Sequence, residues 1–457
     1  MSTDMSITTT DHSVTRALLI SIRTPCVTQQ EVDESLSELS RLVNTLGFSV
    51  VGTKTQRQRS TKQLSVLGSG KLEELATLTG ESTPSPQDES QIEFDEDELS
   101  QLLATPGVKE QANVVVFDCE LSPNQLRNVE AALGVEVYDR TRVIIEIFSK
   151  HARTRTAKLQ VEIARLNYLT PRLRDENSGD RERQKGRSIS ETVFEVNRRR
   201  IRNQIAELRR ELTKLQREMQ GRSSGRIEQL TVALVGYTNA GKSSLMRALT
   251  GSEVLVEDKL FATLDTTVRT LQPPTQPRIL ISDTVGFIQK LPHDLVASFH
   301  STLEEAKNAD LLLYVVDASD ENFTSQLAIV DHVLDQLNID LSDKILLLNK
   351  VDCLSEEQQL DLLEQYPDAL QISARDKGDV ALVHQEIQTL LEKKMCSACF
   401  HIPYTASGIM GEIHNKMQVL EEEYLEDGIR MTLKASPIAF ERLHKMLQVS
   451  TFGNSGK

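Results

Sequence analysis

Apolar positions at the start of the chain alternate between strand and helix spacing. Residues 15–22 form an apolar run, and apolar residues then recur at helical spacing over 32–46. Gly47 follows that stretch and is placed to end the helix, because glycine tolerates the left-handed backbone of a helix terminus. A second strand begins at 49–52. The pattern predicts a strand, helix, strand unit.

The same alternation returns after residue 112. The run VVVF within 113–117 predicts a buried strand, and 122–133 predicts a helix that Ser122 caps and Pro123 opens. A further strand is expected at 135–138. Residues 1–150 are therefore predicted to form a small α/β domain.

An acidic segment interrupts this domain near residues 79–110. It is rich in Asp, Glu, Ser and Pro, and no basic residue occurs over 81–100. Such a composition cannot bury enough apolar surface to order itself. We interpret it as a solvated, flexible insertion in preference to an acidic docking segment.

Helical spacing dominates residues 151–226. Two amphipathic stretches joined by a polar segment at 175–186 predict an antiparallel helical hairpin. The apolar positions of its two helices are Leu159, Ile163, Leu166 and Leu173, and then Ile201, Ile205, Leu208, Leu212, Leu215 and Met219.

The outer faces of this hairpin are basic, although the whole chain carries a net charge of −15. A run of positive charges on both helices favours a surface that contacts phosphates over a face that is only solvated. The arginines and the lysine concerned are Arg153, Arg155, Lys158, Arg165, Arg172, Arg174, Arg198, Arg199, Arg200, Arg202, Arg209 and Arg210. Arg198, Arg199 and Arg200 are the candidate RNA contacts.

Two further regions complete the chain. Residues 229–395 alternate strands and helices, and residues 396–457 predict a small α+β module with a helix over 410–425. A chain of 457 residues is too long for a single core, in agreement with several domains. The predicted fold class is α/β.

The cysteines and the apolar runs bear on the compartment. Five cysteines are scattered, and no signal peptide or transmembrane span is evident, so reduced thiols, a cytoplasmic location and no membrane insertion are predicted. Cys396 and Cys399 form a CxxC near His401, but no second pair lies at zinc spacing, so free thiols are favoured over a metal site.

A glycine-rich string follows the apolar run 232–235. GYTNAGKSS matches GxxxxGK[ST] between a predicted strand and helix, which predicts a loop whose backbone amides surround phosphates. Lys242 is expected to reach the β- and γ-phosphates and Ser243 a magnesium ion. The loop comprises Gly236, Tyr237, Thr238, Asn239, Ala240, Gly241, Lys242, Ser243 and Ser244.

Three more motifs end predicted strands in the order that a guanine-nucleotide site requires. DTVG supplies Asp283, Thr284, Val285 and Gly286, with Asp283 on magnesium through water and the Gly286 amide on the γ-phosphate. NKVD supplies Asn349, Lys350, Val351 and Asp352, and the Asp352 carboxylate can accept from guanine N1 and N2. Ser373, Ala374 and Arg375 follow, where an amide can reach the guanine oxygen. We predict a P-loop GTPase domain with ligands at the carboxyl ends of a parallel sheet.

The segment before DTVG must carry a threonine for magnesium. Thr263, Thr266 and Thr267 all qualify; the string FATL resembles Obg-type GTPases and favours Thr263 within switch I, which comprises Phe261, Ala262, Thr263, Leu264 and Asp265. Phe287 occupies the position of a water-orienting glutamine and cannot hydrogen-bond water, so slow intrinsic hydrolysis is expected. Asn239 is a candidate potassium ligand or a loop-structuring residue.

The combination of motifs resembles the HflX family of ribosome-associated GTPases. The resemblance rests on GYTNAGKSS, LFATLD, DTVGFIQKLPHDLV, TLEEA and NKVD, and outside the GTPase region on GSGKLEEL, FDCELSPNQLRNVEAALGVEVYDRT and KLQVEIARLNYLTPRL. It implies a Mg²⁺-dependent GTPase that binds the large ribosomal subunit and its RNA and splits stalled or idle ribosomes. We expect a monomer. The alternatives are a GTP-gated ribosome- or RNA-binding module and a switch for a protein client.

The chain departs from this resemblance at the hairpin tip. Members of the family carry a glycine-rich string that ends in GPGET, whereas this chain has ENSGDRERQKGRSISET over 176–192. The divergent tip puts splitting, rather than GTP binding, in question.

Overall fold

A computed structural model describes residues 15–58, 67, 75, 79, 111–172, 187–223, 229–251, 261, 267–290, 305–339 and 343–452. The chain divides into two compact units, Met1–Lys150 with Tyr168–Glu195, and His151–Asn167 with Val196–Lys457. The predicted acidic insertion and the hairpin tip lie largely outside the described residues. In the part of the chain that is described, no helix has the length and apolar character needed to cross a membrane.

The first unit contains a parallel sheet of four strands in the order β2-β1-β3-β4. Its elements are β1 (Arg16–Arg23), α1 (Gln29–Thr45), β2 (Ser49–Arg57), β3 (Val114–Phe117), α2 (Pro123–Leu133), β4 (Glu136–Asp139) and α3 (Arg140–His151). Capping boxes begin two of the helices, Thr28 with Glu31 at α1 and Ser122 with Gln125 at α2. Six of these seven elements agree with the strand and helix pattern read from the sequence, whereas α3 was not predicted.

Asp139, at the end of β4, is fully buried in this unit and organises the chain beside it. Its carboxylate accepts the Tyr168 hydroxyl at 2.9 Å and the Arg172 guanidinium at 3.0 Å. Arg172 also donates to the Leu121 carbonyl at 2.9 Å. A buried carboxylate needs such donors to offset its desolvation. The residues that lead into the hairpin tip are thereby anchored to the sheet edge.

Two long helices form the hairpin, α4 (Arg155–Leu169) and α5 (Arg187–Ser223). Within the second unit they pack through Ile163, Leu166 and Ile205, and Arg155 near the start of α4 pairs with Glu211 well along α5. Those contacts require the helices to run antiparallel, as predicted. Arg198, Arg199 and Arg200 are exposed on α5.

The centre of the second unit is a sheet of six strands in the order β10-β9-β8-β5-β7-β6, parallel except for β6. Its elements are β5 (Leu230–Gly236), α6 (Lys242–Thr250), β6 (Thr267–Thr270), β7 (Ile279–Asp283), β8 (Leu311–Asp317), α7 (Phe323–Gln336), β9 (Lys344–Asn349), α8 (Glu356–Gln365), β10 (Leu370–Ile372) and α9 (Lys377–Lys393). A shared core fills the space between the strands and helices α6 and α9. This is the α/β GTPase architecture predicted from the motifs.

The C-terminal module has a three-stranded antiparallel sheet in the order β11-β13-β12. Its elements are β11 (Cys396–Pro403), α10 (Met410–Lys416), β12 (Gln418–Tyr424), β13 (Gly428–Ala435) and α11 (Pro437–Phe452). The predicted helix over 410–425 was wrong: it ends at Lys416, and 418–424 is a strand with a bulge near Leu420. Pairing with β13 outweighs the helix propensity of the glutamates.

Candidate functional site

The GYTNAGKSS loop connects β5 to α6, as its spacing predicts. Gly241 precedes α6 with φ +96°, and a Cβ there would lie 2.1 Å from Nδ2 of Asn349, so only glycine fits. Ala240 is buried, Ser244 lies in the first turn of α6, and Asn239 is exposed with φ 62°. A left-handed Asn239 is compatible with both sequence interpretations, the loop-structuring residue and the potassium ligand.

Lys242 is buried at the start of α6 and points back into the loop. Its Nζ donates to the carbonyls of Gly236 at 3.0 Å and Tyr237 at 2.6 Å. Burial lowers the pKa of Lys242 to about 8, and the nearby Asp283 partly opposes that change. A cation with a lowered pKa, held by carbonyl oxygens, can exchange those weak partners for phosphate oxygens.

Ser243 and Asp283 bring two oxygen ligands together from different elements. The Ser243 hydroxyl donates to Oδ2 of Asp283 at 2.7 Å. Asp283 ends β7 and is fully buried. An oxygen pair of this kind, next to a loop of amides, suits Mg²⁺, which prefers hard oxygen ligands.

The hydroxyl of Thr238 is a further sign of a polar ligand. The side chain is 7% exposed, and its Oγ1 has no hydrogen-bond partner among the described residues. A buried hydroxyl without a partner is costly, and a phosphate oxygen or an ordered water would satisfy it. The loop therefore fits a phosphate group on the strength of its own geometry.

Switch II begins where β7 ends. The Thr284 hydroxyl donates to the Leu234 carbonyl at 2.7 Å, Val285 and Phe287 are buried, and Gly286 lies against the phosphate loop. Phe287 is 3% exposed, so its ring packs inside rather than towards solvent. Its carbonyl and amide contact the phosphate loop, while its side chain offers no group that could orient water.

Switch I lies mostly outside the described residues, which include Phe261 but exclude Ala262, Thr263, Leu264, Asp265 and Thr266. Phe261 is 3% exposed with φ 59°. Thr267 is the first residue of β6, and its hydroxyl donates to the sulfur of Met246 at 3.4 Å. In this structure Thr267 is thus engaged with α6, whereas the preference for Thr263 stays a prediction.

The NKVD and SAR strings meet the phosphate loop at the carboxyl ends of β9 and β10. Asn349 donates from Nδ2 to the Ala240 carbonyl at 2.8 Å and accepts the Ala374 amide at 3.0 Å. One buried amide thereby joins three motifs that are far apart in sequence. Val351 and Asp352 lie in a short 3₁₀ helix, where the Asp352 side chain is exposed.

Two carboxylates that sequence reasoning missed support these motifs. Asp317, the last residue of β8, accepts the Lys350 ammonium at 2.5 Å. Asp379 accepts the Ser373 amide at 2.7 Å, and the Arg375 amide donates to the Ser373 hydroxyl at 3.3 Å. The signal for Asp317 was available, since it ends a buried strand beside the others in the sheet.

Family models match most of the chain. A model described as 50S ribosome-binding GTPase matches residues 231–350, and one described as GTP-binding GTPase middle region matches 151–226. A third, described as GTP-binding GTPase N-terminal, matches 33–88 and 89–149. Together they span the phosphate loop, the hairpin and the N-terminal sheet.

Curated relatives align over most of this chain. The GTPase HflX of Gluconacetobacter diazotrophicus is 49% identical over 94% of this chain and 97% of the relative. The GTPase HflX of Escherichia coli is 37% identical over 71% of this chain and 77% of the relative. A crystal structure of a GTP-binding protein from Sulfolobus solfataricus with GDP covers 83% of this chain and 99% of its own, with 23% identity and a TM-score of 0.42.

Proposed function

Because this chain belongs to the HflX family of GTPases, we propose that it binds the large ribosomal subunit, hydrolyses GTP there, and splits or rescues stalled or idle ribosomes. The observation that carries the proposal is the convergence on one sheet edge of Lys242, Ser243, Asp283 and Asn349. The ribosomal half is supported by the family model described as 50S ribosome-binding GTPase.

Each side chain of the site has a separate role in GTP hydrolysis. Lys242 binds the β- and γ-phosphates, and the amides at the start of α6 bind the phosphate chain. Ser243 and Thr263, with Asp283 through water, would hold Mg²⁺, which when bound neutralises phosphate charge. Asp352 selects guanine, and Asn349 fixes the distance between the base and phosphate halves of the site through Ala240.

Phe287 determines how hydrolysis is controlled. Since its buried ring cannot orient a water molecule, we propose that the ribosome supplies or positions the missing group. Asn239 is our candidate for a potassium ion that adds positive charge near the phosphates. Both features are typical of an enzyme that hydrolyses GTP slowly until it binds the ribosome.

We propose four working parts: the N-terminal domain 1–150, the hairpin 151–226, the GTPase domain 229–395 and the C-terminal domain 396–457. The exposed arginines of α5 suit the phosphates of ribosomal RNA, because they carry one sign of charge on a chain that is acidic as a whole. A monomeric, cytoplasmic protein fits this role.

The divergent tip at 176–192 favours a second candidate, a GTP-gated module that binds ribosomes without splitting them. A glycine-rich loop presses its backbone close to RNA because few side chains intervene. Here Arg181, Arg183, Lys185 and Arg187 stand among acidic residues, so the tip is bulkier and mixed in charge. A subunit-splitting assay separates the two candidates.

The RNA contact can be tested on the hairpin itself. Changing Arg198, Arg199 and Arg200 together to alanine should weaken co-sedimentation with large subunits and reduce the log-log salt slope by about one unit per lost phosphate contact. The measurement is co-sedimentation with the large subunit, at matched GTP occupancy, over a series of salt concentrations.

A matched control removes equal charge from exposed positions outside the hairpin, Arg278, Lys307 and Lys393. That variant should bind large subunits with the parent's salt slope. If both variants keep the parent's affinity and slope, the arginines of α5 are solvated residues and the proposed contact is wrong.

A further inference from the structure

Switch II is paired with the phosphate loop along the backbone. The Thr238 amide donates to the Phe287 carbonyl at 2.8 Å, and the Phe287 amide donates to the Gly236 carbonyl at 3.2 Å. These bonds make a parallel bridge between Tyr237 and Phe287. The two segments that must recognise the γ-phosphate are thereby tied directly to each other.

A side chain adds a third bond to this pairing. The phenol oxygen of Tyr237 accepts the amide of Gln289 at 2.7 Å. Tyr237 is 8% exposed, and Phe287 and Ile288 beside it are almost fully buried. A short hydrogen bond in such surroundings is protected from competition by water. The phenol therefore fixes the part of switch II that follows Phe287.

The pairing also brings switch II into tight contact with Lys242. A Cβ on Gly286 would lie 2.9 Å from Cα of Thr238 and 3.0 Å from Nζ of Lys242, so the backbone touches both. The ammonium is engaged by the carbonyls of Gly236 and Tyr237. A γ-phosphate that binds both Lys242 and the Gly286 amide must come between them. It must also replace the two carbonyls that Lys242 contacts in this structure.

We infer that Tyr237 is a positioning residue whose hydroxyl favours the binding of GDP over the binding of GTP. Its hydroxyl stabilises the arrangement in which switch II lies on the phosphate loop, and the γ-phosphate has to loosen that arrangement. GDP has no group that competes for the Gly286 amide and leaves the pairing in place. The inference rests on GTP hydrolysis by this site and is independent of the ribosomal proposal.

An ordinary buried tyrosine gives a different expectation. If the Tyr237 hydroxyl only stabilised the fold, its loss would change the affinities for GDP and GTP by the same factor. A ligand moves an equilibrium only through its different affinity for the two arrangements. The ratio of the two affinities is therefore the quantity that separates a positioning role from a structural one.

The test is Tyr237→Phe in the full chain, with Kd measured for GDP and for a non-hydrolysable imido analogue of GTP. Loss of the hydrogen bond to the Gln289 amide should raise the preference for the triphosphate by about two- to tenfold. Tyr314→Phe is the matched control, because the hydroxyl of that buried side chain lies within hydrogen-bond distance of the Leu327 carbonyl, at 3.0 Å, and of the Asp331 carboxylate, at 3.2 Å, both on α7. In this control, the ratio of the Kd for GDP to the Kd for the GTP analogue should equal the parent's.

Amide hydrogen exchange at Gln289 gives an independent readout on the parent protein. The amide should be protected with GDP and exchange faster with the GTP analogue, whereas Tyr237→Phe should exchange fast with both. An unchanged affinity ratio in the variant overturns the inference. Equal protection of the parent's Gln289 with the two nucleotides overturns it as well, even if the variant fails to fold.

Discussion

Lys242→Ala should reduce GTP turnover by about a hundredfold or more while the protein stays folded. The ammonium is the buried cation that the phosphate loop directs inward, and its present partners are two carbonyls rather than structural carboxylates. Removing a preorganised charge of this kind costs about a hundredfold to a thousandfold in turnover. Phosphate release under saturating GTP measures the loss, and thermal unfolding checks the fold.

Lys394→Ala is the control for that variant. Its ammonium binds the Asp310 carbonyl and the Asp343 carboxylate, which are remote from the phosphate loop. We expect parental turnover. Turnover at the parental rate in Lys242→Ala would show that the loop does not act on phosphates.

The pH dependence of binding follows from the same residue. Since the pKa of Lys242 is lowered to about 8, the ammonium is present below that pH and must regain a proton on binding phosphate above it. Lys242 should therefore contribute no pH dependence to GTP affinity below pH 8 and a fall of about tenfold per unit above it. Lys242→Ala should lose this dependence.

Asp352→Asn should change the base specificity of the site from guanine to xanthine. We propose that the carboxylate accepts two donors that guanine offers, so that an amide in its place can donate to the xanthine oxygen instead. A site built for that pairing rejects the wrong base by about ten-thousandfold. Competition between GTP and xanthosine triphosphate for the variant measures the change.

Asp361→Asn, an exposed acid on α8, is the matched control and should keep guanine specificity. Equal GTP affinity in Asp352→Asn and the parent would remove Asp352 from the base site. The fold should be unaffected in both variants, because the Asp352 side chain is exposed.

Much of the GTPase region could be predicted because its signals are local. Buried strands of the α/β sheet read as short apolar runs, and the motifs stand where those runs end. The NKVD string predicted that Asn349 is part of the guanine-nucleotide site. Its hydrogen bonds to Ala240 and Ala374 could not be predicted, because they depend on the order of the strands in the sheet, which the linear sequence does not give.

Other features depend on partners that are distant in sequence. Residues 418–424 are rich in glutamate and favour a helix by propensity, yet β13 recruits them into the C-terminal sheet. The Tyr237 hydroxyl bonds a backbone amide 52 residues away, and no side-chain pattern indicates an amide. Such contacts follow from tertiary packing and become visible only in the folded chain.

GTP turnover with and without purified large ribosomal subunits tests whether the ribosome controls hydrolysis by this protein. Because Phe287 cannot orient water, we predict slow hydrolysis by the protein alone and at least about a tenfold stimulation by large subunits, with none from small subunits. The experiment uses the full chain at saturating GTP and Mg²⁺. Fast hydrolysis that is indifferent to large subunits would show that the ribosome does not control this site.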